Sequence, residues 1–295
     1  MRPTPRFLAA TAGILALLSV AVGCSSARSS GGGGDTAPQA AAAAASQSAG
    51  EANSSPAALV PVPAGFAAAS VTFVSAAEVF VLGTAPCGSG RCTLIAHSLD
   101  RGASWQRLPA PPVALTEPPG SGVWGIRFAS AEHGFVFGHS LWETTDGGRH
   151  WIRAPAPGGS ILSLAIVHGQ VLAQAESCAE SGGCTSPGTL VRRPLAGGSW
   201  QQVSPATTTS LWPNPADDIA TQAGIAAVLD RASVVVTSDG GLTTARHAIP
   251  CTQPVVAEPT SVAVIAPNRL ALLCAGPGAM GHTDKTVYLS SNLGA

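Results

Sequence analysis

The side chains that could do chemistry are few and scattered along the chain. Three histidines, His133, His139 and His150, fall close together, and a neutral imidazole is the commonest metal ligand. Their spacing matches no metal-binding pattern, so they read as solvated turn and strand-end residues. Asp217-Asp218 reads as a loop or the start of a strand rather than an ion site. Gly31 to Gly34 lacks the Lys-Ser/Thr pair and strand–helix context of a phosphate cradle. Arg127 and Arg269 could face a central channel, but read as solvated guanidinium groups on packed stems. Trp124 and Trp142 could be binding aromatics, with packing between sheets the default. Tyr288 is the only tyrosine available as a nucleophile. These residue types predict no cofactor and no metal.

The elements that would position such groups come from a repeat. Ser98-Leu99-Asp100-Arg101-Gly102-Ala103-Ser104-Trp105 and Thr144-Thr145-Asp146-Gly147-Gly148-Arg149-His150-Trp151 share Ser/Thr, Asp, Gly and Trp at the same four positions. The pattern suits a hairpin turn. Hydroxyl and carboxylate oxygens accept from turn N–H groups, Gly takes a positive φ, and Trp packs on a neighbouring sheet. Weaker copies follow: Gly198-Ser199-Trp200 keeps the end, Thr237-Ser238-Asp239-Gly240-Gly241 the beginning, and Ser290-Ser291-Asn292-Leu293-Gly294 has Asn for Asp. The Asp-equivalent positions, 100, 146, about 196, 239 and 292, recur at the period of a propeller blade.

Short apolar or alternating runs between the turns read as strands. They are Val71–Val74, Val79–Gly83 and Thr93–Ser98 before the first turn, and Gly125–Ala129, Gly134–Gly138 and Leu141–Thr144 before the second. Ile161–Val167, Gln170–Gln174 and Thr189–Arg193 precede the third, Ile225–Leu229 and Ser233–Thr237 the fourth, and Ser261–Ala266, Arg269–Cys274 and Thr286–Ser290 the fifth. A fourth, outer strand ending in Pro follows each of the first four turns, as at Trp105–Pro109 and Trp151–Pro155. The prediction is an all-β protein: a β-propeller of four-stranded antiparallel blades, five of them, over residues 58–295. Leu59-Val60-Pro61-Val62-Pro63 looks like another outer strand, and the expectation is that it closes the ring by joining the last blade. The alternative is an incomplete ring, truncated from six or seven blades.

The chain has seven cysteines. Apart from Cys24, Cys87/Cys92 and Cys178/Cys184 lie at matching places in the first and third blades, which predicts local disulfides. Cys251 and Cys274 then pair by elimination. No C-x-x-C pattern points to zinc instead.

The first 57 residues have another character. Arg2 and Arg6 precede an apolar run from Phe7 to Val22, which reads as a secretory signal peptide over residues 1–23. Ala21-Val22-Gly23-Cys24 resembles the bacterial lipobox, which implies lipidation of Cys24 and anchoring on the extracytoplasmic side of the cell membrane. Residues 24–57, rich in Gly, Ala and Ser, read as a disordered tether with a reach of roughly 30 Å. Basic and acidic side chains, 15 and 16, nearly balance, so no nucleic-acid partner is expected.

The repeated turns resemble the Asp box, or BNR repeat, of the sialidase superfamily. The stretch from Gly125 through Gly134-Phe135-Val136-Phe137-Gly138 to Trp151 is more similar to photosystem II assembly and stability factor-like propellers. This resemblance implies the fold and carries no photosynthetic role. Sialidase chemistry would need an arginine cluster, a Tyr nucleophile with Glu, an Asp acid/base and a Phe/Tyr-Arg-Ile-Pro motif, and that motif does not occur here. Tyr288 directly precedes the last box, where packing is its expected role. The expected function is that of a monomeric, lipid-anchored, non-catalytic module that binds or assembles a protein or glycan partner. The alternative is a sialidase-like glycoside hydrolase with a divergent site.

Overall fold

The structure, a computed structural model, describes residues 60–116, 121–176, 189–203, 219–230, 233–251, 258–279 and 282–294. All of them fall in one compact unit, Pro56–Ala295. Cys24, the signal and tether segments, Cys178, Cys184 and Asp217-Asp218 lie outside the described residues.

The described chain is built of five antiparallel sheets. The first contains β1 (Ala67–Phe73), β2 (Val79–Cys87), β3 (Gly90–Ser98) and β4 (Gln106–Leu108), hydrogen-bonded in that order. The second repeats the meander with β5 (Val123–Phe128), β6 (Gly134–Gly138), β7 (Leu141–Thr144) and β8 (Ile152–Ala154). The third has β9 (Ser160–Val167), β10 (Gln170–Glu176), β11 (Thr189–Pro194) and β12 (Gln201–Gln202). The fourth has β13 (Ala220–Gln222), β14 (Ile225–Asp230), β15 (Ser233–Thr237) and β16 (Ala245–Ala248). The fifth has three strands, β17 (Glu258–Ala266), β18 (Arg269–Ala279) and β19 (His282–Ser290). Each sheet packs on the next through its innermost strands, β1 on β5, β5 on β9, β9 on β13 and β13 on β17. This is the arrangement of propeller blades.

The middle strands of the inner blades are apolar on both faces because each lies between two blades, and β2 is so because the segment ahead of β1 covers its other face. Phe80 and Leu82 of β2 face the second blade within one buried cluster, while Val79 and Val81 turn the other way. In β10, Val171, Ala173 and Ala175 face the second blade and Leu172 the fourth. Complete burial of a side chain such as Phe80 stabilises by about 2–3 kcal/mol. Gly134 is needed for close approach: a Cβ there would lie 2.6 Å from the Phe128 ring.

Hydroxyls also sew blade to blade at the inner strands. Ile126 N–H donates to Ser70 Oγ (3.2 Å) and Phe128 N–H to Thr72 Oγ1 (3.3 Å). At the third and fourth blades, Ile219 N–H donates to Ser163 Oγ (2.9 Å).

The chain ahead of β1 does not join the last blade, contrary to expectation. The Val60 carbonyl accepts from Arg107 N–H (2.7 Å), and Pro61 pairs with Gln106, placing this segment on the outer edge of β4. Val62 and Phe66 then pack over Val79, Val81 and Ala96, so apolar burial on the first blade holds the segment there.

Candidate functional site

Box turns join the third and fourth strands. In the second blade, Thr144 Oγ1 donates to Asp146 Oδ1 (2.9 Å) and accepts from Gly148 N–H (3.0 Å). Asp146 Oδ1 also accepts from His150 N–H (2.9 Å), and Gly148 sits at φ +83°. Ser98, Asp100 and Gly102 repeat this in the first blade, with Ser98 Oγ 2.8 Å from both Asp100 Oδ1 and Gly102 N. Thr237, Asp239 and Gly241 do so in the fourth, again at 2.8 Å. In the fifth, Asn292 replaces the carboxylate: Ser290 Oγ donates to Asn292 Oδ1 and accepts from Gly294 N–H, both at 2.7 Å.

The third blade departs from this chemistry. Its strand register puts Arg193 at the Ser/Thr position and Leu195, rather than a residue near 196, at the Asp position. The turn closes instead through Gly197 N–H and the Pro194 carbonyl (3.0 Å).

Hydrogen bonds hold the box carboxylates well ionised. The Ser104 hydroxyl, the Ser104 N–H and the Ser98 hydroxyl lower Asp100 to about 2. At Asp239 desolvation pulls upward, but hydrogen bonds from Thr243 and Thr237 outweigh it and leave about 2. The His150 N–H and imidazole lower Asp146 as well. The carboxylates are therefore committed to their turns and poorly suited to accept a proton in catalysis.

Trp151 and Trp200 reach back to the preceding blade. The Trp151 indole N–H donates to the Pro109 carbonyl (3.1 Å), and that of Trp200 to Pro155 (2.9 Å). Trp105 bonds within its own turn, to the Gly102 carbonyl (2.9 Å). Trp124 and Trp142 pack between sheets, with their N–H groups on the Leu162 carbonyl and Ser140 Oγ. Arg193, buried between the Phe135 and Trp200 rings, meets Glu143 Oε2 at 2.7 Å across the seam between second and third blades. Nothing in the spacing of Arg193 and Glu143 signals this clamp.

The three histidines do not converge. His133 binds Glu143, His139 binds Ser160 and His150 binds Asp146. Among the described residues no group of three His, Cys, Asp or Glu could hold a metal ion. The Arg127 guanidinium bonds the Ile126 carbonyl and lies over Phe137, while Arg269 is exposed. Disulfides join Cys87 to Cys92 in the first blade and Cys251 to Cys274 between the fourth and fifth.

A cleft of about 350 Å³ opens between the fourth and fifth blades, lined by Val234, Ile249, Val262, Leu270, Leu272 and Tyr288 among others. Beside it, the end of β19 is exposed: Val287 by 62%, Tyr288 by 37% and Leu289 by 63%. Phe73 and Val71 of β1 are likewise exposed, on the side of the first blade turned away from the second.

No family model matches the sequence, and no curated protein matches it. Solved structures are similar at low identity. A YCF48 bound to D1 peptide is 16% identical, with TM-score 0.49 over 78% of this chain and 65% of that one. This chain therefore spans about two thirds of that protein's length. YCF48 from Cyanidioschyzon merolae is 15% identical, with TM-score 0.46 over 76% of this chain and 66% of that one. An ancestral GH74 enzyme is 18% identical, with TM-score 0.52 over 75% of this chain and 29% of that one. Such likeness speaks for the fold alone. The five blade-like antiparallel sheets define an all-β, propeller-like fold.

Proposed function

We propose that this chain is a protein-binding propeller, tethered to the outer face of a membrane through a lipid on Cys24, and that it catalyses no reaction. The observation that supports binding is the apolar surface at the two ends of the blade series, Val71 and Phe73 at one and Val287 and Leu289 at the other. Contiguous exposed apolar side chains mark interaction surfaces. A protein partner suits them better than a glycan, because Trp124, Trp142, Trp151 and Trp200 all spend their N–H groups on the propeller itself. Against hydrolysis, Tyr288 stands among Val262, Leu270 and Leu272, which cannot activate a nucleophile.

A photo-crosslinking amino acid placed at Phe73 or Val287 in living cells tests this reading. Discrete adducts are expected, with none from the same label at Leu242, an exposed residue of the fourth box turn. Turnover of a fluorogenic sialoside without adducts at either position would reject it.

A further inference from the structure

Strand register gives the middle strands of the first four blades a common frame. The residue at the first box position pairs with one residue of each: Ser98 with Val79, Thr144 with Gly134, Arg193 with Val171 and Thr237 with Ala226. Three residues further on stand Leu82, Phe137, Gln174 and Leu229. Leu82, Phe137 and Leu229 are buried in apolar clusters shared with the blade that follows. The third blade places a carboxamide there instead. Gln174 lies on the face of β10 that Leu172 turns to the fourth blade, and it is fully buried. Ser163 and Leu190 flank it across the ladder, and buried Glu176 follows two residues on.

Neither Nε2 nor Oε1 of Gln174 has a hydrogen-bond partner. The Ser163 oxygen across the ladder is engaged by the Ile219 N–H. An amide buried with both its donor and its acceptor unmet costs far more than the leucine the pattern would put there. The same seam also lacks a fastener. Trp151 ties the second blade to the first and Trp200 ties the third to the second. Thr244 stands at that position in the fourth blade and has no indole to reach back with. Of the seams joining these four blades, the one between the third and fourth therefore opens at least cost.

We propose that this seam opens to admit a small molecule that presents an amide, N–H beside C=O, and that Gln174 binds it. The Gln174 carboxamide is the complement of such a group: its N–H donates to the ligand carbonyl and its oxygen accepts from the ligand N–H. Leu190, Ile219 and Val228, which cluster at the seam, supply apolar walls. The stability that Gln174 forfeits in the closed protein is recovered on binding. The proposal goes beyond the protein-binding reading and stands apart from it, since Phe73 and Val287 belong to the first and fifth blades.

The test uses the whole protein. Gln174→Leu should fold, because leucine holds the same position in the first and fourth blades, and should raise the thermal midpoint. A lowered midpoint would show a carboxamide already bonded within the protein and overturns the proposal. Hydrogen exchange should be about tenfold faster at the Ile219 N–H than at the Ile126 N–H, which makes the corresponding bond to Ser70 at the first seam. Equal rates would deny the opening and the site with it. N-methylacetamide is the probe, followed at the side-chain ¹⁵N–¹H resonances of Gln174. A saturable shift is expected, and N,N-dimethylacetamide, which has no N–H, should bind about tenfold more weakly. Resonances that N-methylacetamide leaves unmoved, or that both amides shift alike, sink the Gln174 site whatever crosslinking at Phe73 and Val287 shows.

Discussion

The Trp151 indole donates its N–H to the Pro109 carbonyl at 3.1 Å, so the turn that closes one blade is bonded to the outer strand of the blade before it. Trp200 and Pro155 repeat the arrangement at 2.9 Å. The box is therefore a fastener between blades as well as a turn, and its fastening depends on a preceding blade. Trp105 has none among the described residues and bonds its own turn.

That difference predicts unequal costs for one chemical change. Trp151→Ala removes a ring packed edge-on to Phe128 and an interblade hydrogen bond. It should destabilise by about 3 kcal/mol. Trp105→Ala removes a ring that is 38% exposed and should cost about 1 kcal/mol or less. Urea unfolding of the two variants checks the order.

The box carboxylates make stability fall in acid. Asp100 and Asp239 titrate near 2 when folded, against about 4 in the unfolded chain. A depressed folded value gives stabilisation that is complete above the unfolded value and is lost as pH falls through the folded one. The melting temperature should therefore drop steeply between about pH 4 and pH 2. Asn292 shows that an amide can hold the same turn, so Asp100→Asn and Asp239→Asn should fold. The doubly substituted protein is expected to lose midpoint at pH 7 and to show a shallower acid slope than the parent.

The two described disulfides close loops of different size, 5 and 23 residues apart. Chain entropy then assigns about 2 kcal/mol to Cys87–Cys92 and about 3.5 to Cys251–Cys274. Cys251→Ser with Cys274→Ser should lower the unfolding midpoint more than the equivalent change at Cys87 and Cys92. Mass analysis before and after reduction, with alkylation, tests the expected Cys178–Cys184 bridge at the same time; six reactive thiols beyond Cys24 would reject every pairing.

Anchoring is tested most directly at the lipobox-like segment. Cys24→Ser removes the only thiol in it that could take a lipid. The variant should move from the membrane fraction to the soluble extracytoplasmic fraction, because the tether offers no basic cluster as a second attachment. Unchanged fractionation would dismiss the lipid.

Blade order and strand pairing were legible because they depend on local signals: a hydroxyl, a carboxylate and a Gly at fixed spacing, with apolar runs on either side. Gly134–Gly138, Leu141–Thr144 and Ser233–Thr237 are strands with the limits the residue pattern assigns. The first strand of the fourth blade was obscure because Ala220–Gln222 is short and carries polar residues. Strand β18 runs on to Ala279, past the limit at Cys274 that the residue pattern assigns, with a register shift between Ala275 and Gly278. The segment from Val60 went to the first blade because long-range burial of Val62 and Phe66 decided its place, and no local pattern encodes that.

The least legible feature carries the last prediction. Arg193 is buried at the first position of an eroded box, stacked between Phe135 and Trp200 and bonded to Glu143 of the neighbouring blade. Glu143 also takes His133, so a single carboxylate receives a donor on each oxygen. Arg193→Met keeps a stem between the rings but leaves the half-buried Glu143 with one partner, and should cost about 2 kcal/mol. Adding Glu143→Gln should recover part of that loss, because a neutral amide needs no cation. A double-mutant cycle by urea unfolding measures the coupling, and additive losses would show that Arg193 acts through ring packing alone.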